Sequence, residues 1–264
     1  MVSIITSQEL NTFRKSKRTL KKSILVSLIV ALVLIVDQAL KIWVKTHMNY
    51  GDEMKILGLD WALIHFVENN GMAFGLSLGG EYGKLMLSVF RILAVGFLIY
   101  YIRLLIKSSV NTGLLVSFAL ILAGALGNII DSAFYGMIFS ASPYHGGLAE
   151  LFPEGGGYSS FLHGKVVDMF YFPLVNTTLP AWLPFWGGEQ FMFFKPVFNV
   201  ADSAITVGVL NILLFQRSFF SHPQHEANPA AEEEAASGAA VSKAEKEEAS
   251  EESAVREEKP RPDA

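Results

Sequence analysis

"FNVADSAITVGVLNILLF" (198–215) is an apolar run nearly long enough to cross a bilayer core, yet it carries Asp202 near its start. A spanning helix takes ~20 mainly apolar residues. A carboxylate at that depth is costly and marks a paired or functional polar group. Three other runs have the same character: 24–44, 85–106 and 113–130. With 197–215 they predict four transmembrane helices in this 264-residue, 51% hydrophobic chain. The first run lacks the small-residue cleavage site of a secretory signal and meets Asp37, Gln38, Lys41 and Trp43 instead, so it reads as a retained helix.

Charge gives the orientation. Arg14, Lys15, Lys17, Arg18, Lys21 and Lys22 precede the first helix, Arg103 and Lys107 lie at the end of the second, and Arg217 follows the fourth. Positive residues stay on the cytoplasmic side, which predicts both termini inside. Nucleic-acid binding is the poorer reading of the basic start, because an apolar helix follows at Ile24. The net charge of −4 hides an acidic end: residues 221–264 hold 12 Asp/Glu against 5 Lys/Arg and have no aromatic residue. Such a segment cannot bury enough apolar area to fold.

The expected organisation is an all-α polytopic membrane protein. A basic cytoplasmic N-terminus (1–22) leads into a four-helix membrane domain (23–216), followed by a disordered cytoplasmic tail (217–264). Segments 45–84 and 131–196 are left outside the cytoplasm. Within the first, 56–67 is rich in β-branched and aromatic residues and suggests strand. "ENNGMAFG" (68–75) reads as a turn whose Met72 and Phe74 can dip into lipid, and "PEGGGYSS" (153–160) as a flexible loop.

The polar residues of the four helices fall at one depth. Asp37 lies roughly 20 Å along the first helix, with Lys41 one turn further on the same face. Arg91 sits roughly 10 Å from the start of the second helix. Asn128 and Asp131 end the third, and Asn199 and Asp202 begin the fourth. Alternating helix directions bring all of them near the outer surface. Small residues Ala123, Gly124, Ala125 and Gly127 let a neighbouring helix approach the third closely.

Two carboxylates in a poorly hydrated pocket share a proton. One then acts as base on water while the other donates to a carbonyl oxygen. Asp37, Asp131, Asp168 and Asp202 are all candidates by position. Asp37 has Lys41 beside it, and Asp131 ends a helix, so a structural ion pair and a cap are their ordinary readings. Asp168 and Asp202 have no obvious local cation and suit a dyad best, without excluding the others. The chain has no cysteine, which rules out disulfides and thiol catalysis, and His65, His145 and His163 are too dispersed for a metal site. No cofactor or metal is expected.

"DQALK" (37–41), "NNGMAFG" (69–75), "GALGNIID" (124–131), "VVDMF" (166–170) and "FNVADSAI" (198–205), in that order, resemble lipoprotein signal peptidase, or signal peptidase II. The resemblance covers about residues 24–215. It implies a bacterial inner-membrane aspartyl endopeptidase that cuts diacylglyceryl-modified prolipoproteins just before the lipidated cysteine, near the periplasmic face. It implies Asp168 and Asp202 as the catalytic dyad. Asp37, Lys41, Asn69, Gly71, Gly124, Asn128, Asp131, Asn199 and Ala201 would support the pocket or contact substrate. It further implies a small outside β-cradle, with strands from residues 48–67, and an outside helix above the site. Prolipoproteins and membrane lipids would be the partners of a monomer.

Two features depart from the family pattern. Ser132 stands where the family has arginine, leaving Arg91 or Lys165 as replacement cations. Thirty-six residues separate Asp131 from Asp168, so 132–165 reads as an insertion forming a flap or other outside contact. A proton- or ion-coupled transporter is the alternative function, since intramembrane acids also make proton relays. A scaffold with polar helix glue is another, and the lack of an inverted repeat disfavours the transporter.

Overall fold

A computed structural model describes residues 7–70, 80–108, 110–193 and 196–216. Gly71, Met72, Phe74 and the acidic tail lie outside the described residues. Helix α1 (Ser7–His47) leads through strands β1 (Glu53–Lys55) and β2 (Leu63–Asn69) to α2 (Gly80–Lys107) and α3 (Thr112–Ile130). A single turn, α4 (Gly136–Ile138), follows, then β3 (Val166–Tyr171), β4 (Val175–Thr178), β5 (Gln190–Phe193), β6 (Val197–Phe198) and α5 (Val200–Phe215).

Three helical stretches are long and apolar enough to cross a membrane: Thr12–His47, Gly83–Lys107 and Thr112–Ile138. Helix α5 is apolar but shorter, at 16 residues. It starts at Val200 rather than 197 because Asn199 caps it and Val197–Phe198 pair with β3 as a strand. The basic segment before residue 23 is helical too, continuous with α1 from Ser7. Leu28, Leu32, Ile35, Phe90, Leu93, Phe97, Leu213 and Leu214 face outward on α1, α2 and α5, as a lipid-facing belt requires.

Helix α3 is the hub, packed against α1, α2 and α5. Its glycines set the closeness of α5. A Cβ on Gly124 would stand 2.2 Å from the Ala201 carbonyl oxygen, and one on Gly127 would stand 2.7 Å from Asp37 Oδ2. The end of α3 widens into a π turn over Asp131–Tyr135 before α4, burying Asp131, Ser132 and Tyr135. Such turns recur at functional sites because they re-aim side chains without breaking the helix.

Strands β1, β2, β3 and β6 form an antiparallel sheet in that order, while β4 and β5 form a separate hairpin. The sheet exceeds the cradle expected from 48–67. The "VVDMFY" run (166–171) is one of its inner strands, between β2 and β6. Within 56–67, Ile56–Gly58 makes a 3-10 turn instead of strand. Leu57 there is left-handed, at φ 52°. Among the described residues no separate outside helix forms beyond α4 and that turn.

Beneath the sheet, Val44, Met48, Phe66, Tyr135, Phe139, Val167 and Met169 make a buried core. Successive strand residues point to opposite faces, so Val167 and Met169 enter this core while Asp168 is turned the other way. Segment 139–165 is docked rather than loose. Tyr158 N–H donates to the Phe139 carbonyl and Ser159 N–H to that of Gly136, at 3.0 and 2.8 Å. Gly157 fits against Gly136 so closely that a Cβ would stand 2.2 Å from its oxygen. The loop read as flexible at 153–160 is therefore packed down where it meets α4.

Candidate active site

The first turn of α5 organises the site. Asn199 accepts from Asp202 N–H at 2.9 Å, and its own N–H donates to Asp202 Oδ2 at 3.3 Å. This reciprocal cap satisfies donors the helix leaves open. Asp37 Oδ1 accepts from Ala201 N–H at 2.9 Å, placing a carboxylate at the positive end of the same helix.

The Asn199 side chain then reaches β3. Its Nδ2 donates to Asp168 Oδ1 at 2.8 Å, to Asn128 Oδ1 at 3.1 Å and to the Val167 carbonyl at 3.3 Å. Asn128 in turn donates to Asp202 Oδ1 at 2.8 Å. Asp168 and Asp202, far apart in sequence, are thus joined through two buried amides. Asn69, on β2, adds a hydrogen bond to Asp168.

Behind the amides lies a buried charge cluster. Lys41 Nζ sits 2.9 Å from Asp37 and 2.8 Å from Asp131, all three side chains fully buried. It also donates to Asn128 Oδ1 at 3.0 Å, so the cluster fixes which way that amide faces. Gln38 donates to Asp37 Oδ2 and Asp131 Oδ1, at 3.1 and 2.9 Å, and accepts from Tyr135 Oη at 3.1 Å. Asp131 Oδ2 accepts from Val167 N–H at 3.3 Å, tying the cluster to the strand beside Asp168. Breaking a buried pair of this kind typically costs ~3–5 kcal/mol, because a charge is left uncompensated.

The two dyad candidates differ in setting. Asp168 is 4% exposed, whereas Asp202 is only half-buried. Burial, reinforced by the charge of Asp202, pushes the Asp168 carboxyl up to about 7, against the opposing pull of Lys41, Asn199 and Asn69. A carboxyl that keeps its proton near neutrality beside a more accessible one is the arrangement acid–base hydrolysis needs.

Arg91 on α2 feels the charges of Asp202, Asp131 and Asp168. Lys165, the other cation considered, is taken up by Glu68 at 3.3 Å. Ser132 donates to the Asn128 carbonyl at 3.0 Å and brings no charge.

A family described as signal peptidase (SPase) II matches residues 29–219. A lipoprotein signal peptidase of Porphyromonas gingivalis is 54% identical over 190 residues, spanning 72% of this chain and 81% of its own length. The chain belongs to the signal peptidase II family. Another lipoprotein signal peptidase, from Amoebophilus asiaticus, is 39% identical over 74% of this chain and 78% of its own length. A solved bacterial membrane enzyme aligns over 76% of this chain and 93% of its own, at 23% identity and TM-score 0.49. As a member of the signal peptidase II family, the chain is a membrane peptidase; the ion-transport alternative finds no support.

Asp37, Lys41, Asn69, Gly124, Asn128, Asp131, Asp168, Asn199, Ala201 and Asp202 are all brought to one end of the bundle; Gly71 lies outside the described residues. Sequence reasoning gave no role to Gln38, Tyr135, Lys45, Glu68 or Ser142. Lys45 is fully buried, bonds Glu68, and donates to Ser142 Oγ at 2.8 Å, anchoring segment 139–165 to α1 and β2. The signal was there for Lys45: it continues the Asp37, Lys41 stripe by another four residues.

Proposed function

We propose that this chain removes the signal peptide of diacylglyceryl-modified prolipoproteins, cutting just before the lipidated cysteine, with Asp168 and Asp202 as catalytic dyad. One observation carries the assignment. Lys41 is ion-paired with Asp37 and Asp131, whereas Asp168 and Asp202 are linked to each other through Asn199 and Asn128, with the Asp168 carboxyl raised to about 7.

In the proposed reaction, ionised Asp202 takes a proton from a water whose oxygen attacks the scissile carbonyl. Protonated Asp168 donates to the carbonyl oxygen, giving a tetrahedral diol. Collapse breaks the C–N bond, Asp202 passes its proton to the departing cysteine amine, and Asp168 recovers its own from the diol. The products are a signal-peptide carboxylic acid and an amine on the lipidated cysteine, which ionise in water to carboxylate and ammonium. Asp37, Lys41, Asn69, Asn128, Asp131 and Asn199 hold this geometry, Gly124 and Ala201 set the α3–α5 approach, and Gly71 has a supporting role with them. Arg91 supplies the nearby positive charge that Ser132 does not.

The enzyme sits in the bacterial inner membrane as a monomer with four crossings, both termini cytoplasmic and the dyad near the periplasmic face. The basic residues at 14–22 and Lys107 support this orientation. Helix α5, ~24 Å long by its rise, spans most of the bilayer core from a start at Asn199. Segments 45–84 and 131–196 lie outside, and 217–264 is on the cytoplasmic side. Substrate enters laterally, its acyl chains staying in lipid.

The test uses purified protein in lipid with a prolipoprotein carrying or lacking the diacylglyceryl group. Cleavage only of the lipidated form supports the reading. A folded enzyme that cuts both forms equally, or neither, overturns it.

A further inference from the structure

At the end of the bundle away from the dyad, the basic part of α1 and the last turn of α2 enclose a cavity of about 250 Å³. Arg14, Lys15 and Arg18 line it from α1, Ile106 and Lys107 from α2, and Ser108 from just beyond its end. Among the described residues no carboxylate lines it, and none of its four cations is in an ion pair. Arg14 and Arg18 are four residues apart on one helix, a like-charge pair that destabilises the helix unless an anion lies between.

The cavity wall is braced. Lys22 Nζ donates to the Ser108 and Val110 carbonyls, at 2.8 and 3.3 Å, tying α1 to the α2–α3 connection. Its depth is fixed as well. Arg18 lies 23 residues before Lys41, or ~35 Å along the helix, about one hydrocarbon thickness from the dyad layer. Between them, Ile24, Leu28, Leu32 and Ile35 are exposed apolar residues. The cavity therefore opens at the headgroup level of the opposite leaflet. It is smaller than the ~300–1,000 Å³ of drug-sized pockets and matches a headgroup rather than a whole lipid.

We infer that this cavity is a phosphate-binding site whose occupant is the phosphodiester headgroup of an anionic phospholipid. Two guanidiniums supply planar forks for phosphate oxygens, Lys15 and Lys107 add point charge, and Ile106 gives the glycerol an apolar edge. Basic pockets between helices on the cytoplasmic side suit such headgroups. The site is independent of the peptidase chemistry.

The test is native mass spectrometry of the full chain in neutral detergent with short-chain phosphatidylglycerol, phosphatidylcholine or inorganic phosphate. Phosphatidylglycerol is expected to bind about tenfold better than phosphatidylcholine. Arg14→Gln/Arg18→Gln abolishes that preference. Lys17→Gln keeps it, because Lys17 stands over the Phe13 ring and outside the cavity. Phosphate displacing the lipid at equal concentration would identify free phosphate as the occupant, overturning the lipid assignment. Equal retention of both lipids, or a double variant that still prefers phosphatidylglycerol, would overturn the site itself. Unfolding temperature without lipid checks the variants. If the arginine pair fails to fold, Lys15→Gln/Lys107→Gln removes the same charge and is read the same way.

Discussion

The Asn199 amide donates to the Asp168 carboxylate at 2.8 Å while its backbone and side chain cap the helix that carries Asp202. One residue thus sets both the position of a strand carboxylate and the start of α5. The two roles can be separated. Asn199→Ala loses both, and the cap alone is worth ~1 kcal/mol. Asn199→Ser retains a capping oxygen but is too short to reach Asp168. The serine variant is expected to unfold at a higher temperature than the alanine variant, while both lose cleavage more than about tenfold. Equal cleavage by serine variant and wild type would deny Asn199 its role at Asp168.

The Asp168 carboxyl, at about 7, sets a pH limit. Below that value it holds the proton the proposed reaction uses; above it that proton is lost. The plot of kcat/KM is therefore expected to fall with rising pH, with an apparent pKa of about 7. Stability follows the same sign. The folded pKa lies above the ordinary carboxylate value, so the native state binds the extra proton. That contribution is complete below about pH 4 and lost as pH rises to about 7. Denaturation of wild type and Asp168→Asn across this range measures it: the variant's curve is flatter.

Arg91 shifts that limit. Its charge favours the ionised form of Asp168, so Arg91→Gln moves the alkaline fall of kcat/KM to higher pH. An unmoved limb would place Arg91 outside the site's electrostatics.

Lys41 neutralises two buried acids, so Lys41→Met leaves both unpaired and costs ~3–5 kcal/mol. Asp37→Asn/Lys41→Met/Asp131→Asn removes all three charges and is expected to recover most of the lost thermal stability. Recovery without cleavage would assign the cluster to positioning Asn128.

The approach of α3 to α5 predicts a contrast between two glycines. Gly124→Ala drives a methyl into the Ala201 carbonyl and costs at least ~1–3 kcal/mol with loss of cleavage. Gly96→Ala, with nothing within 4 Å of its Cβ, stabilises α2 by ~0.5–1 kcal/mol. Thermal unfolding in one detergent compares them.

The membrane helices were legible because ~20-residue apolar runs have few other readings. So was the polar layer: Asp37, Lys41, Asn128, Asp131, Asn199 and Asp202 follow from helix direction and rise alone. The strand at 166–171 was not. Val166, Val167, Met169, Phe170 and Tyr171 are apolar on both faces because one packs on Phe66 and Phe139 while the other closes over the site, which erases the alternation that marks a strand. Gln38 escaped because its partners, Asp131 and Tyr135, come from a π turn that sequence periodicity does not announce. Lys165 and Arg91 were equal by position; the structure pairs Lys165 with Glu68 and sets Arg91 within the field of Asp202, Asp131 and Asp168.

The most direct measurement is the mobility shift of a diacylglyceryl-modified prolipoprotein with wild type, Asp168→Asn, Asp202→Asn and Asp131→Asn, each folded in the same lipid. The dyad assignment predicts cleavage by wild type, none by the first two variants, and reduced cleavage by the third. Cleavage by Asp168→Asn with none by Asp131→Asn would contradict it and move the dyad to the end of α3.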